Sequence, residues 1–146
     1  MAAVLNLADD QATAALGARI ATALQPGDVL LLEGDLGAGK TALARSIIRA
    51  LLEDAELDVP SPTFALVQPY EGKGHVVLHA DLYRLASERD IDELGLFDRA
   101  EAILLVEWPE RVPELYRKAT GTVTLALPPG RPGRTAYVAF TDNRNI

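Results

Sequence analysis

The chain has 146 residues and a formal net charge of −7, from 14 Lys and Arg against 21 Asp and Glu. Hydrophobic residues make up 49% of it, which is enough to build a buried core and excludes a disordered or fibrous protein. The acidic balance argues against a protein that holds nucleic acid by its own basic face, because neutralisation of phosphates supplies that affinity. The absence of cysteine excludes disulfides, thiolate metal sites and cysteine nucleophiles.

The N-terminal segment does not resemble a signal peptide, because no basic residue precedes a long apolar run. The longest apolar stretches, 29–32 and 102–106, are too short to cross a bilayer. We therefore expect a cytoplasmic protein that makes no contact with a membrane. We also expect residues 1–146 to form a single domain, because no linker or internal repeat divides them.

The order of apolar patterns predicts an α/β protein. Asp9 or Asp10 can cap a first helix, whose apolar residues recur at helical spacing until Pro26. Two runs, 29–32 and 102–106, are continuously apolar, which is typical of strands that are covered on both faces. The other predicted elements are, in chain order, a glycine-rich loop over 34–40, a helix over 41–52, strands over 64–70 and 75–80, a short helix capped by Ser87 and ended by Gly95, and a hairpin formed by 122–127 and 135–141.

A phosphate-binding loop is the strongest motif in the sequence. Residues 34–41 read GDLGAGKT, which matches G-x-x-x-x-G-K-[ST] and lies between a predicted buried strand and a helix, as the motif requires. Glycines let successive backbone N–H groups point at one anion, and the helix N-terminus adds the positive end of its dipole. In such a loop the lysine reaches the β- and γ-phosphates, and the hydroxyl that follows binds Mg²⁺. The residues expected to bind the nucleoside triphosphate here are Asp35, Leu36, Gly37, Ala38, Gly39, Lys40 and Thr41.

This motif in this order of elements predicts a three-layer fold like that of P-loop NTPases. The continuous apolar strands belong at a parallel centre of the sheet, and the hairpins add antiparallel strands at its edges. We therefore expect a mixed sheet with helices on its faces.

A P-loop site also needs an acid at the end of a neighbouring buried strand, to hold Mg²⁺ directly or through water. Asp81 follows the strand at 75–80, and Glu107 follows the run at 102–106. The second run is the more uniformly apolar, as expected of a central strand next to the loop strand. If both acids act, one binds the ion while the other positions water or senses the γ-phosphate. A metal pair formed by His79 and Asp81 is an alternative.

Several other residues have both a structural and a functional interpretation. Residues 61–63 lie where many P-loop proteins have a switch segment, and they also suit a surface loop stiffened by proline. Trp108 could contact the nucleotide or belong to the core. Either Arg131 or Arg134, beside the hairpin loop, could reach a phosphate as an internal arginine finger or remain an exposed arginine.

Four sequence blocks together resemble one family. GDLGAGKT at 34–41, SPTFALV at 61–67, HADLYRL at 79–85 and VEWPE at 106–110 occur in the order and at the spacing of the TsaE family. That family consists of small ATPases of bacterial tRNA threonylcarbamoyladenosine biosynthesis. The P-loop alone identifies a superfamily, whereas the SPT, DLYR and EW blocks make the resemblance specific, and it extends over nearly the whole chain.

The resemblance implies roles for individual residues. ATP would bind at the loop, with Mg²⁺ held by Thr41 and Glu107, and Asp81 would be needed for ATPase function. The catalytic set would then be Lys40, Asp81 and Glu107. Residues 61–63 would form a switch-like loop. Further positions that match nucleotide contacts are Asp10, Trp108, Glu110 and Arg134, although the prolines of the late hairpin depart from the family pattern and leave the choice between Arg131 and Arg134 open.

The same resemblance implies a function that depends on partners. The protein would dock on a TsaB–TsaD heterodimer, of which TsaD carries the transferase site, and ATP hydrolysis would reset the complex. The modified adenosine would be the one next to the anticodon in tRNAs that read ANN codons, and tRNA would be met only through the complex. An acidic surface suits docking onto basic, tRNA-handling partners.

Two other classes of function remain open at this stage. A small-molecule or nucleotide kinase also uses a P-loop, although the sequence has no insertion large enough for the usual lid. A binding module could sense ATP without cleaving it. A GTPase is disfavoured, because the chain has no Asn-Lys-x-Asp segment to recognise guanine.

Overall fold

A computed structural model describes residues 2–62 and 66–146 of the protein. Within these ranges, seven strands form one sheet: β1 (Ala2–Leu7), β2 (Val29–Glu33), β3 (Val67–Gly72), β4 (His75–Asp81), β5 (Ile103–Glu107), β6 (Gly121–Ala126) and β7 (Arg134–Phe140). The α-helices are α1 (Asp10–Ala23), α2 (Lys40–Leu51) and α3 (Leu115–Lys118), and two 3-10 helices span Glu88–Leu94 and Pro109–Arg111. None of the helices in the described ranges has the length and apolar character needed to cross a membrane.

The sheet has a parallel centre and antiparallel edges, as predicted. Its strand order is β1-β7-β6-β2-β5-β4-β3. Strands β4, β5, β2 and β6 run parallel to one another, whereas β3 pairs antiparallel with β4, β7 with β6, and β1 with β7. Because β5 pairs with both β2 and β4, the register places Glu107 opposite Leu32 on one side and Asp81 on the other. The carboxyl ends of the three central strands therefore meet at one edge, where ligands bind in open α/β sheets.

Two apolar layers cover the sheet, so the three-layer arrangement is confirmed. On one face α1 and α2 pack with residues such as Leu16 and Ile47, which are buried against the strands. A Cβ atom at Gly17 would come within 2.5 Å of the Ser46 Cβ, so the two helices cross at a distance that only glycine permits. On the other face, the segments after β4 and β5 contribute buried residues that include Leu96 and Leu115. Each large apolar side chain buried in this way stabilises the fold by about 1.5–3 kcal/mol.

The local predictions hold with shifts at the ends of elements. The Asp9 side chain caps α1 by accepting a hydrogen bond from the backbone N–H of Ala12 at 2.9 Å, because its carboxylate satisfies one of the free amides of the first turn. Helix α2 begins at Lys40, one residue earlier than predicted. Glu107 is the last residue of β5 and not the residue after it.

Two strand predictions need correction. The predicted strand over 64–70 corresponds to β3, which begins at Val67 and continues to Gly72, and residues 64 and 65 lie outside the described ranges. Strand β1 was not predicted, although its residues alternate between exposed and more buried positions, as expected of an edge strand with one covered face. The hairpin of β6 and β7 is confirmed, and β1 completes the sheet by pairing with β7.

Candidate functional site

A cavity of about 410 Å³ opens at the carboxyl edge of the central strands. The loop that joins β2 to α2 forms one wall, with all seven predicted residues from 35 to 41. Asp81 at the end of β4 and Glu107 at the end of β5 face it, and Ser61 and Trp108 also line it. The fold thus brings together the phosphate loop and both candidate acids, which are far apart in sequence.

The loop turns into α2 through Gly39, which has a φ of 103°. Residues other than glycine rarely adopt this conformation, and a Cβ at this position would also lie 2.8 Å from the Nε atom of Arg134. Arg134, at the start of β7, donates from Nε to the carbonyl oxygen of Ala38 at 2.6 Å and from Nη2 to that of Gly37 at 3.3 Å. In this structure its guanidinium therefore holds the outer side of the loop.

Lys40 is only 5% exposed and lies inside the curve of its own loop. Its Nζ donates to the carbonyl oxygens of Gly34 and, at 3.4 Å, of Asp35. The same atom lies 3.7 Å from the centroid of the Trp108 ring, a cation–π distance. Burial lowers the pKa of Lys40, and the charge of Glu107 opposes that change. An anion placed at this point would replace weak carbonyl partners and favour the charged lysine.

The Thr41 hydroxyl and the Glu107 carboxylate meet at the centre of the site. The hydroxyl oxygen lies 2.9 Å from Oε1 and 3.0 Å from Oε2 of Glu107, which is 2% exposed. Carboxylate and hydroxyl oxygens are ligands that Mg²⁺ prefers, and this ion usually takes its other ligands from phosphates and water. The described residues contain no group of three or more His, Cys, Asp and Glu that could hold a metal. The oxygens of Thr41 and Glu107 fit a magnesium ion that takes its other ligands from a phosphate and from water.

His79 contacts the same carboxylate from the neighbouring strand, β4. Its ring is 0% exposed, and its Nε2 lies 2.6 Å from the Glu107 Oε2. Sequence spacing suggested a metal pair between His79 and Asp81, whereas in the structure the Nε2 atom is engaged by Glu107. Nothing in the local sequence could have shown this contact, because it depends on how β4 and β5 are paired.

Asp81 is the last residue of β4 and lines the cavity. Its Oδ1 accepts a hydrogen bond from the backbone N–H of Tyr83 at 3.0 Å. Burial raises the pKa of Asp81, and the negative charge of Glu107 raises it further. The Tyr83 ring in turn lies 4.9 Å from the ring of Trp108, centroid to centroid. Tyr83 was not among the predicted site residues, and its ring connects the turn after β4 to Trp108, the residue after β5.

Trp108 has a left-handed backbone conformation, with φ of 58° and ψ of 48°. Such a conformation costs about 1–3 kcal/mol for a residue other than glycine and persists where the surroundings impose it. Here the ring is held between the Lys40 ammonium and the Tyr83 ring. The indole therefore lies at the wall of the cavity and also packs against the apolar cluster on the second face of the sheet.

Some predicted nucleotide contacts lie away from the main cavity. Asp10 is exposed in the first turn of α1. Glu110 borders a second cavity of about 440 Å³, which also touches Asp35 and Trp108. Their proposed contacts with nucleotide stay predictions. Of the predicted switch segment, Ser61 lines the main cavity, and Thr63 lies outside the described ranges.

A parallel strand, a glycine-rich loop and a helix, with an acid at the tip of the adjacent strand, define a protein with a P-loop NTPase-like fold. The family model described as "Threonylcarbamoyl adenosine biosynthesis protein TsaE" matches residues 7–132. Since this match covers most of the chain, the chain belongs to the TsaE family, and its relatives are named for tRNA threonylcarbamoyladenosine biosynthesis.

Individual relatives agree with this membership. The TsaE protein of Rickettsia felis is 39% identical over 113 residues, which cover 77% of this chain and 66% of the relative. That of Mycobacterium leprae is 41% identical over 106 residues, covering 66% of this chain and 65% of the relative. The chain thus spans about two thirds of the length of these relatives. The crystal structure of Bacillus subtilis YdiB shares the fold, with a TM-score of 0.75 over 98% of this chain and 88% of that one, at 23% identity.

Proposed function

We propose that the chain is the ATP-binding and ATP-hydrolysing component of the machinery that makes threonylcarbamoyladenosine in tRNA. The observation that supports this most directly is the meeting of the Thr41 hydroxyl with both carboxylate oxygens of Glu107, at 2.9 and 3.0 Å. This oxygen pair lies in the same cavity as the phosphate loop and the buried lysine, Lys40. A loop for phosphates, a cation and a pair of hard oxygen ligands are the parts that a magnesium–nucleotide complex needs.

Each residue of the site would have a distinct task. The loop amides would hold the phosphates, and Lys40 would leave the carbonyls of its own loop to bind the β- and γ-phosphates. Thr41 and Glu107 would hold Mg²⁺, which when bound neutralises charge that develops on the phosphate oxygens. Asp81 would orient the attacking water or sense the γ-phosphate. Catalysis in such a site consists mainly of positioning and electrostatic stabilisation, which fits a cavity built from a rigid sheet edge.

In this proposal the chain does not transfer the threonylcarbamoyl group. It docks on a TsaB–TsaD heterodimer, meets tRNA only through that complex, and resets the complex by hydrolysing ATP. Membership of the TsaE family supports this role, and a net charge of −7 suits association with basic, tRNA-handling proteins. The protein would act in the cytoplasm as a single P-loop ATPase domain over residues 1–146.

The experiment that tests the proposal compares ATP turnover by the chain alone with turnover after addition of purified TsaB–TsaD and tRNA. We expect slow hydrolysis alone, with stimulation and repeated modification cycles in the full mixture. Lys40→Ala should abolish nucleotide binding or hydrolysis, whereas Lys73→Ala, at an exposed turn between β3 and β4, should behave as wild type. An unchanged rate in Lys40→Ala would remove the assigned site. Stoichiometric transfer of phosphate to a small acceptor would favour a kinase.

A further inference from the structure

We propose that His79 is a positioning residue that orients the Glu107 carboxylate for Mg²⁺. This inference rests on the proposed ATPase function and adds a residue whose role is to hold another side chain in place. The strand register explains the contact. His79 pairs with Leu105 and Asp81 pairs with Glu107, so the imidazole of β4 lies diagonally across from the last residue of β5.

The burial of His79 is not explained by packing alone. The ring is 0% exposed, and its Nδ1 atom has no hydrogen-bond partner among the described residues. A buried polar atom without a partner costs about 1–3 kcal/mol, which a leucine in the same place would avoid. The one hydrogen bond recorded for the ring within the described ranges joins Nε2 to the Oε2 of Glu107 at 2.6 Å. Through this bond the imidazole acts on the carboxylate.

Two groups from different elements, α2 and β4, hold the Glu107 carboxylate. The Thr41 hydroxyl contacts both oxygens, and His79 contacts Oε2. A glutamate side chain has three rotatable bonds, so a ligand held by Thr41 alone would lose its orientation when that hydroxyl turns to the ion. With its Nε2–H donated to Oε2, the imidazole keeps the carboxylate aimed into the cavity. Hydrogen bonds of this kind to metal ligands typically change metal affinity 10- to 100-fold.

Three variants separate the hydrogen bond from the space that the ring fills. His79→Gln places an N–H donor near the position of Nε2, His79→Asn has a donor that is too short to reach, and His79→Leu has none. His75→Gln, at the opposite end of β4, is the matched control. Binding of ATP is titrated with Mg²⁺ and repeated in EDTA, with calorimetry or the fluorescence of the single tryptophan as readout, and thermal melting of the empty protein reports on folding.

We expect the Asn and Leu variants to need at least about 10-fold more Mg²⁺ for half-maximal ATP binding. Their affinity for ATP in EDTA should stay close to that of the wild type, and the Gln variant should restore the wild-type Mg²⁺ requirement. A merely structural role predicts a different pattern, in which lower melting temperatures accompany equal losses with and without Mg²⁺.

Several results would overturn the inference. These are a wild-type Mg²⁺ requirement in the Asn and Leu variants, a Gln variant as defective as the Leu variant, or equal loss of binding in EDTA. If His79→Leu does not fold, the comparison of the Gln and Asn variants still gives the answer. Absence of Mg²⁺-dependent ATP binding by the wild type would instead overturn the proposed function, and the positioning role with it.

Discussion

Arg134→Met should loosen the phosphate loop while leaving the groups that touch phosphate in place. The substitution keeps a long aliphatic side chain and removes the guanidinium that donates to the carbonyl oxygens of Ala38 and Gly37. A hydrogen bond from a charged donor contributes about 1.5–3 kcal/mol. The hydrogen bond to Ala38, at 2.6 Å, stabilises the loop by about 1.5 kcal/mol, the low end of this range, because the arginine is partly exposed. The longer hydrogen bond to Gly37 adds about 0.5 kcal/mol.

Together the two hydrogen bonds stabilise the loop conformation by about 2 kcal/mol, which is the upper limit of the effect on the free energy of nucleotide binding. Since each 1.4 kcal/mol is a factor of ten, the affinity for nucleotide should fall by up to about 30-fold. The loss should be the same for ATP and ADP, because the loop amides that Arg134 supports serve phosphates that both nucleotides have. Isothermal titration calorimetry with each nucleotide measures this directly. Arg131→Met is the control, since Arg131 is exposed in the same hairpin loop.

The ratio of the two losses distinguishes a guanidinium that supports the loop from one that contacts the γ-phosphate. If ATP binding falls several-fold more than ADP binding, the guanidinium reaches the γ-phosphate in the bound state and is an arginine finger, not a support of the loop. If neither affinity changes, the two hydrogen bonds to the loop are irrelevant to binding. A loss in Arg131→Met that equals the loss in Arg134→Met would show that only the positive charge of the hairpin matters.

Two other predictions concern the acids at the strand tips. Glu107→Ala should raise the Mg²⁺ requirement of hydrolysis at least about 10-fold while weakening Mg²⁺-free nucleotide binding much less, because the loop remains; equal losses in both assays would indicate a folding role. Asp81→Asn should raise the melting temperature of the empty protein at pH 7, while lowering ATP turnover. Burial raises the pKa of Asp81 in the folded state. Its contribution to the free energy of unfolding is therefore fully present below the ordinary pKa, where the carboxyl is protonated. That contribution is lost as the pH rises through the folded-state pKa. The stability gained by Asp81→Asn should therefore shrink toward zero as the pH falls below about 4, and a gain independent of pH would contradict this cause.

The sequence alone determined the parts of the site whose geometry is local. The glycines, Lys40 and Thr41 are neighbours in the chain, and the strand and helix around them follow from apolar periodicity, so the loop could be placed without a structure. Asp81 and Glu107 could be placed at strand ends, because each follows an apolar run. The parallel centre of the sheet could also be predicted, because only strands covered on both faces tolerate such continuous apolar sequences.

Only the tertiary structure showed what these residues touch. The contacts of Glu107 with His79 and of Arg134 with Ala38 span 28 and 96 residues of sequence, and each depends on the pairing and register of particular strands. Register is a cooperative property of the whole sheet, since a shift by one residue would turn every side chain of a strand to the other face. Composition and spacing therefore defined the chemistry available to this protein, and strand pairing defined which side chains hold that chemistry in position.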